Sequence, residues 1–298
     1  MSMLLYRIIK LFNTYKIYGF NATSRRIFNF FKNKIPILDA RRRLSFKYLT
    51  HGTGIEVGGL HNPLSVRDNV KVSYVDYETK ERNQSRFLEL AGKRIVHTDI
   101  VDNGLVLSKV PDGSIDFLVA NHVLEHSPNI HQTMLIWASK LKENGTLFIT
   151  VPVADQCFDR GRPITDLEHI YNDFEIHMNN DKNSILKATR DHLYEWFSIS
   201  HVNSVRENGC APLNIDQKWN ASQVDMCMNK FEKAIHEKNL QNIADAYTLS
   251  NTDIHFHTFS KNSFSTYLKS FVQYTNKKYK IMEIAGNGAE IISVIQRI

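Results

Sequence analysis

Short apolar runs alternate with helix-like segments between residues 50 and 152. The runs cover residues 54–59, 70–76, 94–100, 113–120 and 145–152, and each has the length and turn signals of a buried strand. Segments of helical character, such as residues 78–90 and 131–141, lie between them. Because strands that alternate with helices form a parallel sheet with both faces covered, the pattern predicts an α/β fold.

Acidic residues and glycines stand at the ends of the first three predicted strands. They are Glu56, Gly58, Gly59, Asp76 and Asp99. Open α/β sheets bind ligands just outside the carboxyl ends of their strands, and an acid after the second strand can accept both ribose hydroxyls. Asp99 could accept an adenine amine while Ile100 packs on the purine face. Each acid alone is typical of a helix cap or a solvated loop, but the ordered set favours nucleoside binding.

The fourth predicted strand leads into residues 121–126, with the sequence NHVLEH. His126 is the first candidate for a general base, because an imidazole titrates near neutral pH and a hydroxyl acceptor must lose its proton. His122 and Glu125 are further catalytic candidates. His122 and His126 are four residues apart, so a helix there would place both on one face. The alternatives are that Glu125 and His126 only cap a helix, or that His122, Glu125 and His126 bind a divalent metal.

A second candidate base is His257, in the alternating sequence HFH at residues 255–257. The alternation would point the imidazoles of His255 and His257 the same way. A buried, hydrogen-bonded role for His257 is equally open.

The motifs named above resemble those of class I S-adenosylmethionine-dependent methyltransferases. The matching segments are Glu56 to Gly59, Asp76, Thr98 to Ile100, Asp116 to His126 and Leu141 to Gly145. The resemblance covers residues 50–152 and implies a Rossmann-like sheet of seven mostly parallel strands with the last antiparallel. It implies methyl transfer with release of S-adenosylhomocysteine. The implied cofactor contacts are Glu56, Gly58, Gly59, Asp76, Tyr77, Asp99, Ile100 and Asn121.

The glycine-rich loop departs from the usual Gly-x-Gly-x-Gly pattern of that family, since Leu60 and Asn62 replace the later glycines and Pro63 follows. This form is similar to a branch found in bacterial surface-polysaccharide pathways. The resemblance therefore implies a small-molecule or glycan acceptor, with the hydroxyl of a sugar or of a phosphate-bearing glycan precursor as the best expectation. A small aromatic or lipid-like hydroxyl is one alternative, and an inactive nucleotide-binding module is another. We do not expect a divalent metal.

About 100 residues follow the fifth predicted strand, which is too many for a loop. We predict four parts: a basic helical arm (1–47), a cofactor-binding core (48–153), a helical cap that carries substrate specificity (154–255), and a helix with a hairpin that complete the sheet (256–298). The cap's predicted helices include residues 182–196 and 223–238. An Asn287-Gly288 dipeptide marks the hairpin turn. Arg160 and Arg162 could grip an anionic group of the acceptor.

Charge is concentrated in the arm. Residues 1–47 hold eleven Lys and Arg against Asp39, about +10, so the remainder of the +6 chain carries about −4. The arm's apolar run is too short and too charged to span a bilayer. It could pack on the core or lie peripherally on the inner membrane surface; RNA is the least favoured partner. Three widely spaced cysteines suggest a reducing, cytoplasmic compartment. The oligomeric state is not predicted.

Overall fold

The computed structural model of the chain describes residues 39–86, 92–207, 217–237 and 254–298. Within these residues seven strands form one sheet, in the order β3-β2-β1-β4-β5-β7-β6. The strands are β1 (Gly52–Val57), β2 (Val70–Asp76), β3 (Ile100–Val101), β4 (Ile115–Asn121), β5 (Leu141–Pro152), β6 (Tyr279–Gly286) and β7 (Glu290–Arg297). Strands β1 to β5 run parallel, and β7 is antiparallel to both β5 and β6. The predicted Rossmann-like sheet is confirmed.

Helices cover the sheet and form a layer beyond it. They are α1 (Ala40–Tyr48), α2 (Lys80–Arg86), α3 (Ile130–Lys140), α4 (Leu167–Met178), α5 (Lys182–Glu195), α6 (Val202–Glu207), α7 (Gln217–Glu237) and α8 (Lys261–Tyr274). A π-helical turn, Trp196–His201, joins α5 to α6, and 3-10 turns lie at Leu124–His126 and Ala154–Gln156. Among the described helices, none is long and apolar enough to cross a membrane.

Strand β4 shows how the sequence builds the core. Alternate residues of a strand point to opposite faces, and here Leu118 and Ala120 join the cluster under α3 and α8, while Phe117 and Val119 join the cluster that contains Leu44 of α1. All four β4 side chains are at most 1% exposed. Each large apolar side chain buried in this way contributes about 1.5–3 kcal/mol. The sheet therefore has a covered core on both faces, with β4 at its centre.

The third predicted strand, residues 94–100, is wrong. The pairing with β2 begins only at Ile100, and Asp99 precedes it. There the Tyr74 amide donates to Asp99 Oδ2 at 2.8 Å, and the Asp99 amide donates to the Tyr74 carbonyl at 2.9 Å. Asp102, which is buried, follows β3 at its carboxyl end. Strand β3 lies at the edge of the sheet, and a very short edge strand limits the unpaired backbone that such an edge exposes.

Helices α4 to α7 lie in the segment predicted as a cap. Helices α5 and α7 match the predicted helices at 182–196 and 223–238, and Leu193, Val224 and Phe231 share a separate apolar cluster with Ile254 and Phe256. Helices α5 and α7 thus share a small core with the segment that begins at Ile254. We call helices α4 to α7 the cap, and the residues from Ile254 onward the segment after the cap. Residues 1–38, which hold most of the predicted arm with its proposed membrane contact, lie outside the described residues, as do Cys210 and residues 87–91 and 238–253.

The predicted hairpin and its preceding helix are confirmed. Helix α8 begins after Ser260, whose hydroxyl accepts a hydrogen bond from the Ser263 amide at 3.0 Å. Strands β6 and β7 meet at Asn287 and Gly288, where Gly288 adopts a φ of +66° that a glycine accepts without strain. The hairpin brings Glu290 to the carboxyl edge of the parallel strands, where Pro152 of β5 pairs with it.

Candidate active site

Glu56 closes the loop that follows β1. Its side chain is only 1% exposed, and both carboxylate oxygens accept from the Leu64 amide at 3.0 Å. The Asn121 amide group donates to Glu56 Oε1 at 3.1 Å. Burial raises the pKa of Glu56 to about 7, although these hydrogen bonds act in the opposite direction. Glu56 therefore holds the shape of the loop from inside rather than pointing into solvent.

Two glycines at the end of β1 let the backbone approach its neighbours closely. Gly58 has a φ of +67°, and a Cβ atom there would lie 3.3 Å from a methyl group of Val123. A Cβ atom on Gly59 would lie 2.9 Å from the Tyr74 ring. Side chains at these positions would be strained or would displace packed groups. The glycines leave bare backbone at the point where β1 lies between β2 and β4.

Asp76 ends β2, the strand beside β1, and is half-buried. Its Oδ1 atom accepts from the Glu78 amide at 3.3 Å. Tyr77 follows it and is also half-buried, while Asp99 is exposed at the start of β3, next to the half-buried Ile100. These four predicted cofactor contacts therefore gather around the ends of β2 and β3, with Asp99 on the side from which β3 begins.

Asn121 ties three strands together at the floor of this edge. Its amide group donates to Glu56 of β1, and its carbonyl oxygen accepts from the Thr150 hydroxyl of β5 at 3.1 Å. Both ends of the side chain are thus used inside the protein. Asn121 lies where the strand order turns from β1 to β4, which is the place where open α/β sheets bind ligands.

His122 is held between two carboxylates. Its Nε2 atom lies 2.9 Å from Glu290 Oε1, and its Nδ1 atom lies 3.4 Å from Glu125 Oε1. Burial alone would lower the pKa of His122, but these two acids raise it to about 9. Arg41 of α1 also donates to Glu290, from Nε at 2.8 Å and from Nη2. At neutral pH His122 is therefore a cation that cannot accept a proton, which counts against its predicted role as a base.

The prediction that His122 and His126 share a helix face is wrong. His122 has a φ of +55°, so no helix passes through it, and the 3-10 turn covers only Leu124–His126. His126 instead faces the segment that follows the cap. Its Nδ1 atom lies 3.0 Å from the Ile254 carbonyl oxygen, and its ring meets His255 edge to face at 4.7 Å.

Glu125 is fully buried among imidazoles. Among the described residues no donor makes a hydrogen bond of normal geometry to either carboxylate oxygen, but His122 Nδ1 forms an ion pair with Oε1 at 3.4 Å, and His126 and His255 lie close by. Burial would raise the pKa of Glu125, but the ion pair with His122 and the fields of His126 and His255 lower it. Glu125, His126 and His255 each offer an atom within 4.8 Å of the others, a spacing that could also hold a metal ion.

His257 lies away from this group. The ring is completely buried, and its neighbours are His169, Asp173 and His192 of the cap. Burial lowers the pKa of His257 well below its usual value. His255 and His257 alternate as predicted, but their side chains join different clusters. Of the three histidines predicted as catalytic, His122 is paired with two acids and His257 lies among the cap residues, so His126 is the candidate base that remains at this edge.

The prediction that Arg162 grips an anionic group of the acceptor is wrong, because its side chain points into the protein. Its guanidinium group is 1% exposed and donates to Asp159, to Glu195 and to the carbonyl oxygens of His255 and Phe256. His255 Nδ1 lies 2.6 Å from Asp159 Oδ2. Asp159, His255 and Glu290 were not predicted as site residues, because their partners are distant in sequence.

A family model described as "Methyltransferase domain" matches residues 32–207, more than half of the 298 residues. No curated protein matches the chain. Among solved structures, a Rhodobacter sphaeroides protein provisionally assigned as a Zn-dependent alcohol dehydrogenase is 11% identical and covers 86% of this chain and 90% of its own, with a TM-score of 0.41. A methyltransferase from Aquifex aeolicus is 10% identical and covers 90% of this chain and 98% of its own, with a TM-score of 0.35. One from Methanosarcina mazei is 13% identical and covers 86% of this chain and 97% of its own, with a TM-score of 0.38.

The carboxyl edge of the sheet fits S-adenosylmethionine, the cofactor of that family. Bare backbone at Gly58 and Gly59 leaves room for close approach, and the half-buried acid Asp76 stands one strand away, as a ribose requires. With the matched family model, the confirmed seven-stranded sheet and this edge, the chain belongs to the methyltransferase-domain family and is an S-adenosylmethionine-dependent methyltransferase.

Proposed function

We propose that this enzyme methylates a hydroxyl group of a sugar or of a phosphate-bearing glycan precursor, with His126 as the general base. When bound, S-adenosylmethionine supplies an electrophilic methyl group on a sulfonium. A sugar hydroxyl is a weak nucleophile until its proton is removed, so an acceptor of this class needs a base beside it. His126 of the 121–126 block supplies that base, and the segment after the cap orients its ring.

The observation that carries the proposal is the hydrogen bond of His126 to the Ile254 carbonyl. A carbonyl oxygen can only accept, so the Nδ1 atom at 3.0 Å must carry the proton. In the neutral ring the lone pair is then on Nε2, which is the atom that would take the proton of a hydroxyl. Backbone thus sets the tautomer that a base needs.

Neighbouring charges favour the proton once it arrives. The Glu125 carboxylate is buried beside His126, and the pKa of Glu125 lies below its usual value, so this acid is ionised when His126 becomes a cation. Burial would raise the pKa of Asp159, but the hydrogen bond from His255 and the field of Arg162 lower it to about 2. Asp159 therefore fixes the His255 ring that packs against His126.

The sequence of the loop after β1 supports the acceptor class. Leu60 and Asn62 stand where the later glycines of the family would be, and Pro63 follows. The resemblance of the glycine-rich loop to the polysaccharide-linked branch favours the same class.

Calorimetric titration with S-adenosylmethionine and S-adenosylhomocysteine, with NADH as a control, comes first. We expect both sulfur nucleosides to bind and NADH not to bind. Nucleotide sugars, sugar phosphates and catechol are then offered with the cofactor, and methylated products are detected by mass spectrometry. Methylation of catechol alone would replace the glycan proposal with the aromatic one. Absence of binding would favour an inactive module.

The base is tested with His126→Gln, with exposed His97→Gln as the matched control. His126→Gln should keep its affinity for the cofactor and lose turnover by about a hundredfold or more, because a positioned base contributes about 10²–10⁴-fold. His97→Gln should keep both. Full turnover of folded His126→Gln would refute the assignment of the base.

A further inference from the structure

Three imidazoles, two from the cap and one from the segment after it, converge on one carboxylate oxygen. Asp173 Oδ2 lies 3.2 Å from His169 Nε2, 3.1 Å from His192 Nε2 and 3.7 Å from His257 Nε2. The centroids of the three rings are 5.0, 5.2 and 5.6 Å apart. His169 and Asp173 are one turn apart on α4, His192 lies on α5, and His257 lies in the extended segment after the cap, so three separate parts of the chain meet here.

One acid cannot satisfy three imidazoles. His257 is completely buried, and within the part of the chain that the structure describes neither of its ring nitrogens has a hydrogen-bond partner. A neutral imidazole always carries one N–H group, so the cluster by itself leaves a buried donor unpaired. An unpaired buried donor costs about 1–3 kcal/mol, and native proteins seldom keep one without a reason.

Three of these residues have the spacing of ligands around a metal ion. His169, Asp173 and His192 each offer one ligand atom, and these atoms all lie within 4.8 Å of one another. A tetrahedral zinc ion with bonds of about 2.0–2.1 Å holds its ligand atoms about 3.3 Å apart, and the separations of 3.2 and 3.1 Å from Asp173 Oδ2 lie around that value. A bound cation would take lone pairs from the two Nε2 atoms and from the carboxylate, next to the buried His257 ring.

The cluster is mostly buried, but one of its residues is reachable from solvent. The side chains of Asp173 and His192 are only 4% and 6% exposed, whereas that of His169 is 44% exposed and lines a cavity of about 440 Å³ between α4 and α5. An ion could enter from that cavity and meet His169 first. Asp173 and His192 are already held in place by their helices.

We propose that His169, Asp173 and His192 bind a divalent transition metal ion, for which zinc has the best-matched ligand set, with the buried His257 ring as the candidate fourth ligand. The three ligands join α4 to α5. With His257 the ion would also hold the extended segment, whose Phe256 and His257 amides donate to the Glu125 carbonyl at 2.8 and 3.3 Å. It would then fasten the cap to the floor of the methyl-transfer site. The proposal does not depend on the identity of the acceptor.

The test uses the full chain without a histidine tag. Protein stripped with a strong chelator is titrated with Zn²⁺ by calorimetry and with Co²⁺ by visible absorption, since a tetrahedral Co²⁺ site has an intense visible spectrum. We expect one ion per chain, a tetrahedral Co²⁺ spectrum and a higher melting temperature with Zn²⁺. His169→Gln and Asp173→Asn should each weaken Zn²⁺ binding by at least about a hundredfold, since losing a direct ligand exceeds the 10–100-fold effect of its supports.

His177→Gln is the matched control, because His177 lies on the same helix and its Nδ1 atom bonds to the Asp173 backbone carbonyl at 2.7 Å rather than to the carboxylate. It should bind Zn²⁺ like the parent. If Asp173→Asn does not fold, the half-exposed His169→Gln decides. Absence of stoichiometric binding to the folded parent chain overturns the proposal. Binding that His169→Gln retains and Glu125→Gln abolishes would also overturn it, since the ion would then lie with Glu125, His126 and His255.

Discussion

Arg162→Ala should be among the most destabilising substitutions in this protein. The guanidinium group is 1% exposed and donates to Glu195 Oε1 at 2.7 Å, to Asp159 Oδ1 at 3.1 Å, and to the carbonyl oxygens of His255 at 2.7 Å and Phe256 at 3.1 Å. Alanine removes every one of these donors. Asp159, which is not exposed at all, would keep its charge with fewer partners.

The magnitude follows from what remains. Breaking a buried ion pair by removing one partner costs about 3–5 kcal/mol, because the other charge stays buried. Two carbonyl oxygens that lose their donor add to this cost, at about 1–3 kcal/mol each. The Ser200 hydroxyl at 2.6 Å and the His255 ring at 2.6 Å still bond to Asp159 and offset part of it. We expect a loss of at least about 3–5 kcal/mol in the free energy of unfolding.

Arg190→Ala is the matched control. Arg190 pairs with Asp225 at 2.8 Å, but the two side chains are 51% and 59% exposed. An exposed pair contributes about 0–1 kcal/mol, so the same substitution should change little there. Urea denaturation of both variants and of the parent, followed by circular dichroism, measures the difference.

Equal losses for the two alanine variants would refute the reasoning, because burial is the difference between them. Arg162→Lys provides a second reading if Arg162→Ala does not fold. Lysine keeps the charge but not the planar fork of donors, so we expect a loss between those of the parent and of Arg162→Ala. A lysine variant as stable as the parent would mean that the charge alone matters and that the hydrogen bonds to the backbone do not.

Two further predictions concern the edge of the sheet. Asp76→Ala should weaken S-adenosylmethionine binding at least about tenfold in calorimetry, since each lost hydrogen bond to the carboxylate is worth about 1.5–3 kcal/mol, whereas the exposed Asp68→Ala should bind normally. The His122 ring, followed by NMR, should stay charged until about pH 9. Since this pKa is raised above 6.5, His122 stabilises the fold fully below about pH 6.5, and that contribution disappears as the pH rises through about 9. A ring that titrates near 6.5 would contradict the placement of His122 between Glu125 and Glu290.

The sheet could be predicted because its signals are local. Strands such as β4 carry their own apolar runs and turn residues, and Asn287-Gly288 specifies its hairpin within two residues. The third strand failed for a reason that is not local. Residues 94–98 have the composition of a strand, but at the edge of the sheet only Ile100–Val101 find a partner in β2. Pairing with β2 sets where this strand begins, and the local residue composition does not show that pairing.

The candidate site was predictable only in part for the same reason. The 121–126 block is marked by its position after a strand, but a positive φ at His122 cannot be read from residue types, and it separates His122 from His126. The partners of these residues lie far away in sequence. Glu290 is 168 residues from His122, and His255 is 96 residues from Asp159. Only the folded chain brings such pairs together.

Glu125 links the carboxyl edge of the sheet to the segment after the cap, through its backbone carbonyl and its carboxylate. Its carbonyl oxygen accepts from the Phe256 and His257 amides, so the segment after the cap is fixed to the 3-10 turn. Its carboxylate pairs with His122, which pairs with Glu290, which in turn binds Arg41 of α1. A shift of the segment after the cap would therefore move both the 3-10 turn that contains His126 and the contacts of α1. Substitutions at this one buried acid should change cap stability and turnover in parallel, whereas substitutions at Asp76 should change cofactor affinity alone.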